Sequence, residues 1–342
     1  MPLWGLLPLQ SFLAFILFRI GSDRINPLGL DFSCFGTKST PIPDTSRRGI
    51  KSHQLLALKA FIEKHADERG VLLRWVDWNG APNHKDSLNL YDLVKYVVNP
   101  ATAPHKCSFV ELVAPPGTTA QTPRWFVSHW WGEPVKDFIK AVEYHAVQRF
   151  APRGTWKPSD KPVADGQEPY KPQHEIVGKP ADADATYWIC AYANNQHDLS
   201  ELDVEDPRDT PFFKAMQLCD GVLVILDKDA IVFTRIWCGF EQATVAQGKK
   251  LLLDIATVHN GEPELLTDGF AYELEDQAEG NKMHVKAERE KHFPVALLEK
   301  AYTIQVELGE ASVEKDKTRI LNAITGAEFD ATPDLKHPAF GL

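Results

Sequence analysis

The sequence predicts an α/β domain with a parallel sheet over its C-terminal two-thirds. Three observations carry this. Short, continuously apolar runs occur at 125–128 (WFVS), 221–226 (GVLVIL) and 251–255 (LLLDI), as expected of strands buried on both faces. Segments with helical spacing of apolar residues separate them. Polar segments rich in chemistry follow the runs directly, where open α/β sheets hold their ligands.

The chain has 342 residues, 44% hydrophobic and 25% charged, which suits one large domain or two modest ones. Its formal net charge of −10 argues against a general nucleic-acid grip, which needs clustered Lys and Arg. The five cysteines match no zinc spacing, and no Asn-x-Ser/Thr sequon occurs. Both point to a reducing, intracellular setting.

Residues 1–50 read as an apolar leader and linker. The run at 3–18 (LWGLLPLQSFLAFILF) carries no charge, but it contains Pro8 and is shorter than the span of about 20 residues that crosses a bilayer. It lacks a basic start and a small-x-small cleavage site. Arg19 and Arg24 follow, so an inserted leader would leave the body on the cytoplasmic side. The expectation is a cytoplasmic protein with 3–18 as a candidate membrane anchor. The Pro, Gly, Ser and Thr content of 27–50 predicts a linker.

Residues 51–120 read as an extension of helices and one strand, without chemistry of its own. Leu55, Leu58, Phe61 and Ile62 predict a helix over 53–69 with Gly70 as its C-cap. A second helix is expected over 88–98, stopped by Asn99-Pro100, and a strand over 108–113 (SFVELV).

The main domain spans 121–326. After the strand at 125–128, Pro134 fits the first position of a helix over 134–150, with Val135, Phe138, Ile139, Val142 and Ala146 as its apolar stripe. Residues 151–185 hold six prolines and many charges without a period, and read as a surface insertion. A second strand is expected at 187–191 (YWICA) and a helix from Thr210-Pro211 with Phe212, Phe213 and Met216 inward. The strand at 221–226, a helix over 234–247 closed by Gly248, and the strand at 251–255 follow. A fifth strand over 302–306, a last helix over 312–325 and a tail at 327–342 complete the chain. Strands alternating with helices imply right-handed crossovers and a flavodoxin-like, three-layer α/β/α domain with a mostly parallel five-stranded sheet.

Three segments leave the strand ends with candidate chemistry. They are Ser128-His129-Trp130-Trp131-Gly132-Glu133, then Asn194-Asn195-Gln196-His197-Asp198, and the stretch from Asp227 into Trp237-Cys238-Gly239-Phe240-Glu241. On a helix, Trp237 and Cys238 share a face with Glu241, at four and three residues. A carboxylate inside a helix beside Trp and Cys is partly desolvated and so a functional candidate.

Trp237-Cys238-Gly239-Phe240-Glu241 resembles the W-C-x-x-E signature of Toll/interleukin-1 receptor (TIR) domains. FVSHWWGEP resembles the opening strand and loop of that family, TYWICAYANNQHDL stands at its second strand and LLLDI at its fourth. The resemblance covers about 121–325, and is narrower to a divergent TIR-like group with an SHWWGE loop. Its first loop carries His129, Trp130 and Trp131 where the family has Arg or small residues, and the loop after the second strand lacks the family's Arg-Gly or Pro-Gly content.

The resemblance implies cleavage of NAD, or a related nucleotide, at the nicotinamide–ribose bond, with Glu241 as the catalytic carboxylate and no further cofactor. Nicotinamide leaves as a neutral group, so no general acid is needed, and the carboxylate would stabilise an oxocarbenium-like transition state. Ser128, His129, Trp130, Trp131, Gly132, Asn194, Asn195, Trp237 and Cys238 are the expected binding residues. In this reading Trp130 or Trp131 stacks on a flat base and Gly132 lets backbone approach the ligand. The rival reading is a non-catalytic signalling module that assembles with itself or with other TIR-like domains; a third is a nucleotide sensor without turnover.

The same residues have plainer roles open to them. Trp237 and Cys238 suit core packing. Glu241 could be an exposed helix carboxylate paired with Arg235 or Lys249, and His129 and His197 hydrogen-bonded structural histidines. A zinc site from Cys190, His197, Cys219 and Cys238 lacks any paired close spacing, and no metal is expected.

Overall fold

A computed structural model of the chain describes residues 26, 28–77, 79–150, 185–248, 251–271, 282–301, 305–311 and 313–340. Its strands are β1 (Ile50–Lys51), β2 (Val71–Val76), β3 (Pro82–His84), β4 (Trp125–Ser128), β5 (Thr186–Trp188), β6 (Gly221–Leu226), β7 (Leu252–His259) and β8 (Glu262–Leu266). The principal helices are α1 (Ser52–His65), α2 (Phe109–Val113), α3 (Val135–Phe150), α4 (Pro211–Leu218), α5 (Ile236–Gly248), α6 (Val295–Ala301) and α7 (Glu314–Thr325).

The main sheet has six strands in the order β1-β5-β4-β6-β7-β8, and β2 and β3 form a separate hairpin. β5, β4, β6 and β7 are parallel, while β1 and β8 pair antiparallel at the two edges. The sheet is therefore mostly parallel, as expected, but has six strands instead of five. Of the expected fifth strand at 302–306, Val306 belongs to a 3-10 turn, Val306–Leu308, and residues 302–304 lie outside the described residues. The added edge strand β8 has a local cause. β8 folds back through Asn260 (φ 52) and Gly261 (φ 81), a turn pair whose left-handed backbone matches the twist of a two-residue hairpin.

Alternation along the strands divides the core. Trp125, Val127, Tyr187, Leu223 and Ile225 pack with Leu55 and Leu58 of α1 and Phe138, Ile139 and Val142 of α3. Phe126, Trp188, Val222, Val224 and Leu226 pack on the other face with Ala215 and Met216 of α4, Cys238 and Val245 of α5 and Leu297 of α6. Helices thus cover both faces. Ile320 and Leu321 of α7 pack with Ile236 and Phe240 of α5 in a smaller outer cluster. Gly221 opens β6 because a Cβ there would lie 2.6 Å from the Trp125 ring and 2.7 Å from the Leu252 carbonyl oxygen.

The segment before β4 differs most from expectation. Phe35 and Ile42 of the expected linker are buried in the same core as α1 and α3, and Ile50 pairs with Tyr187 in the sheet. Residues 108–113 form α2, not a strand. Ser108 caps the helix by accepting from the Glu111 N–H, while Glu111 accepts in return from the Ser108 N–H, a capping box that outweighs the local β propensity. α1 ends at His65, and Gly70 (φ 81) instead serves the turn into β2. The helix expected to stop at 98 runs from Leu90–Leu93 through a π-helical stretch, Val94–Val98, into Asn99–Thr102, with Pro100 tolerated in the first turn of that last piece. The leader at 3–18 and residues 151–184 of the insertion lie outside the described residues. Among the described residues, no helix is long and apolar enough to cross a membrane.

One buried carboxylate joins these N-terminal pieces. Glu111 Oε1 accepts from the Ile42 N–H at 2.9 Å and faces Arg48 Nη2 at 3.4 Å. Its Oε2 accepts from the Ser108 N–H and hydroxyl, both at 2.9 Å. Arg48 also donates to the Ile42 carbonyl at 2.7 Å and to Ala193, just after β5, at 3.5 Å. Glu111→Ala would leave the buried Arg48 charge and three donors without this acceptor. It is expected to lower the unfolding free energy by about 3–5 kcal/mol, read from urea denaturation, with a smaller loss for Glu111→Gln.

Candidate functional site

The C-terminal end of β4 brings polar side chains into the interior. By strand alternation, Ser128 points to the face covered by α5, and His129 turns to the α3 face, 4.9 Å from the Phe138 ring. His129 Nδ1 lies 3.2 Å from the Val127 carbonyl, and its Nε2 has no hydrogen-bond partner among the described residues. Burial lowers its pKa to about 4, so the ring is neutral at physiological pH.

The loop then turns at Trp130, whose carbonyl accepts from the Glu133 N–H at 3.2 Å. A Cβ on Gly132 would lie 2.2 Å from the Trp130 indole, so the glycine makes room for that ring. Trp131 points elsewhere, and its indole N–H donates to Cys190 Sγ at 3.1 Å. Cys190 opens the helical turn Cys190–Ala193 after β5.

The third contribution is α5. Asp227, at the end of β6, accepts from the N–H groups of Asp229 and Ile231 and so fixes the turn toward the helix. Within α5, Cys238 Sγ lies 3.7 Å from the His129 carbonyl oxygen. Glu241 follows less than a turn later and is only 5% exposed. Its electrostatic neighbours are Ser128, Cys190 and Cys238. Glu241 Oε2 and Ser128 Oγ each lack a hydrogen-bond partner among the described residues, although the hydroxyl faces the carboxyl.

Burial pushes the Glu241 carboxyl up to about 8, and the Ser128 hydroxyl only partly offsets that. Burial, with the Glu241 charge adding to it, pushes the Cys190 thiol up to about 12, against the Trp131 donor. Cys238 is raised by the same two causes. Both thiols stay protonated at neutral pH, which removes them as nucleophiles. Two further carboxyls lie at the β4 and β6 ends. Glu133 and Asp227 are both raised, chiefly by burial, and Asp227 adds repulsion at Glu133.

Ser128, Trp131, Cys190, Cys238 and Glu241 thus converge from three segments. Others of the expected residues lie apart. Trp237 stacks on Phe212, with ring centroids 5.3 Å apart, and donates to Asp316 Oδ2 of α7 at 3.1 Å. Asn194 is buried after the Cys190–Ala193 turn, Asn195 donates to the Lys106 carbonyl, and His197 pairs with the Thr102 hydroxyl at 2.8 Å. Trp130 covers Gly132. Tyr91, from the segment expected to carry no chemistry, stands 5.4 Å from Trp131 between ring centroids. Its one sequence signal was an aromatic on the polar side of an otherwise apolar helix, which is common and does not by itself point to a site. Among the described residues, no group of three or more His, Cys, Asp or Glu is arranged to hold a metal ion.

The buried carboxylate of β7, Asp254, is of a different kind. Asp254 accepts from Arg149 at 2.6 and 2.8 Å, from the Asp268 N–H at 2.9 Å, and lies 3.0 Å from His145 Nε2. His145 Nδ1 in turn meets the Tyr187 hydroxyl at 2.9 Å. That carboxylate is saturated with partners and held below its ordinary pKa, whereas Glu241 is not. Buried polar groups normally find partners, so the unpartnered Ser128 and Glu241 oxygens mark this end of the sheet as the candidate site.

Comparison of the chain with protein-family models, with curated proteins and with solved structures gives no match.

The raised Glu241 pKa has a consequence for stability. Between the ordinary value of 4.5 and about 8 the folded chain binds more protons than the unfolded one, so Glu241 lowers stability as pH rises across that window. Glu241→Gln removes the titration. The variant is expected to gain on the wild type by up to about 4 kcal/mol by pH 8.5, with little difference at pH 4.5. Thermal melts of both proteins across that range check the sign; a gap that shrinks with rising pH would show Glu241 to be ionised and satisfied in the folded state.

Proposed function

We propose that the chain is a TIR-like enzyme that hydrolyses the nicotinamide–ribose bond of NAD or a related nucleotide, with Glu241 as the catalytic carboxylate. The observation that carries this reading is a buried carboxyl with an oxygen unpartnered among the described residues, faced by the Ser128 hydroxyl and neighboured by Cys190, to which the Trp131 indole donates, at the C-terminal end of a parallel sheet. The order of the parallel strands also supports it. Numbered as they occur, they run 2-1-3-4, the start of the flavodoxin-like order, which places the switch point between β4 and β6.

The chemistry suits a site with one usable carboxyl. The ring departs as neutral nicotinamide, taking both electrons of the C1′–N bond, so no proton donor is needed. Positive charge then develops on the ribose, and an ionised Glu241 in dry surroundings stabilises it more strongly than a solvated carboxylate would. A cationic pyridinium entering beside Glu241 favours its ionised form, which offsets the effect of burial. Water adds to C1′ and its proton passes to Glu241 and then to solvent. Trp131 offers a flat apolar surface for a ring. Ser128, whose hydroxyl faces the carboxyl, is placed to hold it in one orientation.

The test is NAD consumption by the purified full chain, followed by chromatography. Release of nicotinamide is expected, with at least about a 100-fold loss in Glu241→Ala. The wild-type kcat/KM is expected to rise with pH and level off above about 8, as the free carboxyl ionises. Absence of turnover at high protein concentration would overturn the enzyme reading in favour of a non-catalytic assembly module.

A further inference from the structure

Asn-Gly pairs occur twice in the chain, at Asn79-Gly80 between β2 and β3 and at Asn260-Gly261 between β7 and β8. All four residues are exposed. Such a pair is chemically labile. The Asn side-chain carbonyl carbon lies one five-membered ring closure from the next backbone nitrogen, and glycine has no Cβ to obstruct the approach. A Cβ at Gly80 or at Gly261 would meet nothing within 4 Å, so neither glycine is crowded by its surroundings.

Hydrogen bonds separate the two pairs. The Gly80 N–H donates to the Asp77 carbonyl at 3.1 Å, and Asp77 Oδ1 accepts from the N–H groups of Asn79 and Ala81 at 2.8 and 2.9 Å. The nitrogen that would attack is thus engaged, and both of its neighbours are tied to the same aspartate. At the other pair the ladder is closed by His259 and Glu262, and the Gly261 carbonyl accepts from Lys140 Nζ of α3. Among the described residues, neither the Gly261 N–H nor the Asn260 side chain has a hydrogen-bond partner.

We propose that Asn260 is a site of spontaneous deamidation, with water as the only co-reactant, and that its isoaspartyl product loosens β8. The Gly261 nitrogen bonds to Asn260 Cγ, and its proton leaves with the side-chain amide as ammonia. Water then opens the resulting succinimide. Cleavage of the new bond gives aspartate. Cleavage of the original peptide bond gives isoaspartate, in which the chain runs through the side-chain carboxyl carbon. The attack needs Asn260 to rotate out of its left-handed turn (φ 52), and that rotation breaks no hydrogen bond of the attacking nitrogen. Isoaspartate adds a backbone carbon to a two-residue loop whose length fixes the register of β8 on β7. Just past β8, the Asp268 N–H donates to Asp254 at 2.9 Å, and the Asp268 and Phe270 carbonyls accept from Arg149 at 2.9 and 3.2 Å. The longer loop works against those anchors. The reaction is independent of the Glu241 site.

The test ages the folded full-length protein at mildly alkaline pH and follows both Asn residues by peptide mapping with mass spectrometry. Asn260 is expected to convert at least about tenfold faster than Asn79, the factor set by the hydrogen bonds that must break before Gly80 attacks. Thermal melts are expected to fall with the isoaspartyl fraction in the wild type. They are expected to be unchanged by ageing in Asn260→Gly, which keeps the left-handed turn and has no amide. Equal rates at the two pairs, or an Asn260 that stays intact while the chain unfolded in urea loses both amides, would overturn the site. Aged protein rich in isoaspartate that melts with the fresh protein would overturn the effect on β8.

Discussion

The central strand β4 is bonded to β5 on one edge and β6 on the other, with helices over both of its faces. Whatever leaves its C-terminal end therefore starts inside the protein. That is the constraint from which the site follows. Ser128 and His129 are polar residues placed where water does not reach, and their alternation sends one toward α5 and the other toward α3. The chain must turn sharply to escape the interior. It does so around Gly132, with Trp130 lying across the glycine and Trp131 directed toward Cys190. The loop is held by bonds from the Leu88 to Tyr91 segment on its outer side, so the side chains it presents have fixed positions.

Three buried carboxylates show how differently one fold can treat the same group. Glu111 receives four donors and joins the N-terminal pieces. Asp254 receives a bidentate arginine, a backbone N–H and a histidine contact. In both, partners compensate for desolvation. Glu241 is as well buried, yet one of its oxygens has no partner among the described residues, and its pKa is raised where that of Asp254 is lowered. Packing does not require this. An apolar residue of similar size in α5 would fill the same space without the penalty of a half-satisfied carboxyl. A locally unfavourable group held in place by an otherwise well-satisfied structure is the pattern expected of a working site.

Much of the parallel core was legible because its strands contain short apolar runs and α3 and α4 have start signals at Pro134 and Thr210-Pro211, although the strand expected at 187–191 ends at Trp188 and gives way to the helical turn Cys190–Ala193. WFVS and GVLVIL fall on β4 and β6 without shift, and Thr210-Pro211 starts α4, with Thr210 accepting from the Phe213 N–H. The misses have physical causes. SFVELV has strand-like composition, but its serine and glutamate three residues apart satisfy two N–H groups of a helix start. The Asn260-Gly261 pair announces a hairpin, but β8 (EPELL) is too polar to read as a strand without its partner β7. The polar content of 27–50 suggested a linker, and only the tertiary contacts of Phe35, Ile42 and Arg48 make it part of the core. At the site, the spacing of Trp237, Cys238 and Glu241 placed all three on one helix, but not the direction of the indole, which goes to Phe212 and Asp316. Tyr91 was invisible for a more general reason. Its distance to Trp131 is set by backbone bonds between segments some forty residues apart in sequence, and no local pattern encodes that.

The segment expected to be a separate extension is therefore joined by backbone to the loop that leaves β4. The bonds from Leu90 to Trp131 and from Leu88 to Val135 bracket the residues of the loop that also carry Glu133 and the start of α3. Moving that segment would break the bonds to the Trp131 carbonyl and to the Val135 N–H. The loop after β4 is thus tied to the Leu88 to Tyr91 segment through ordinary backbone hydrogen bonds, and the Glu111–Arg48 contacts separately reach Ala193, at the end of the Cys190 turn. Two separate sets of satisfied polar groups hold the loop after β4 and the turn after β5, beside a Glu241 carboxyl with an oxygen unpartnered among the described residues.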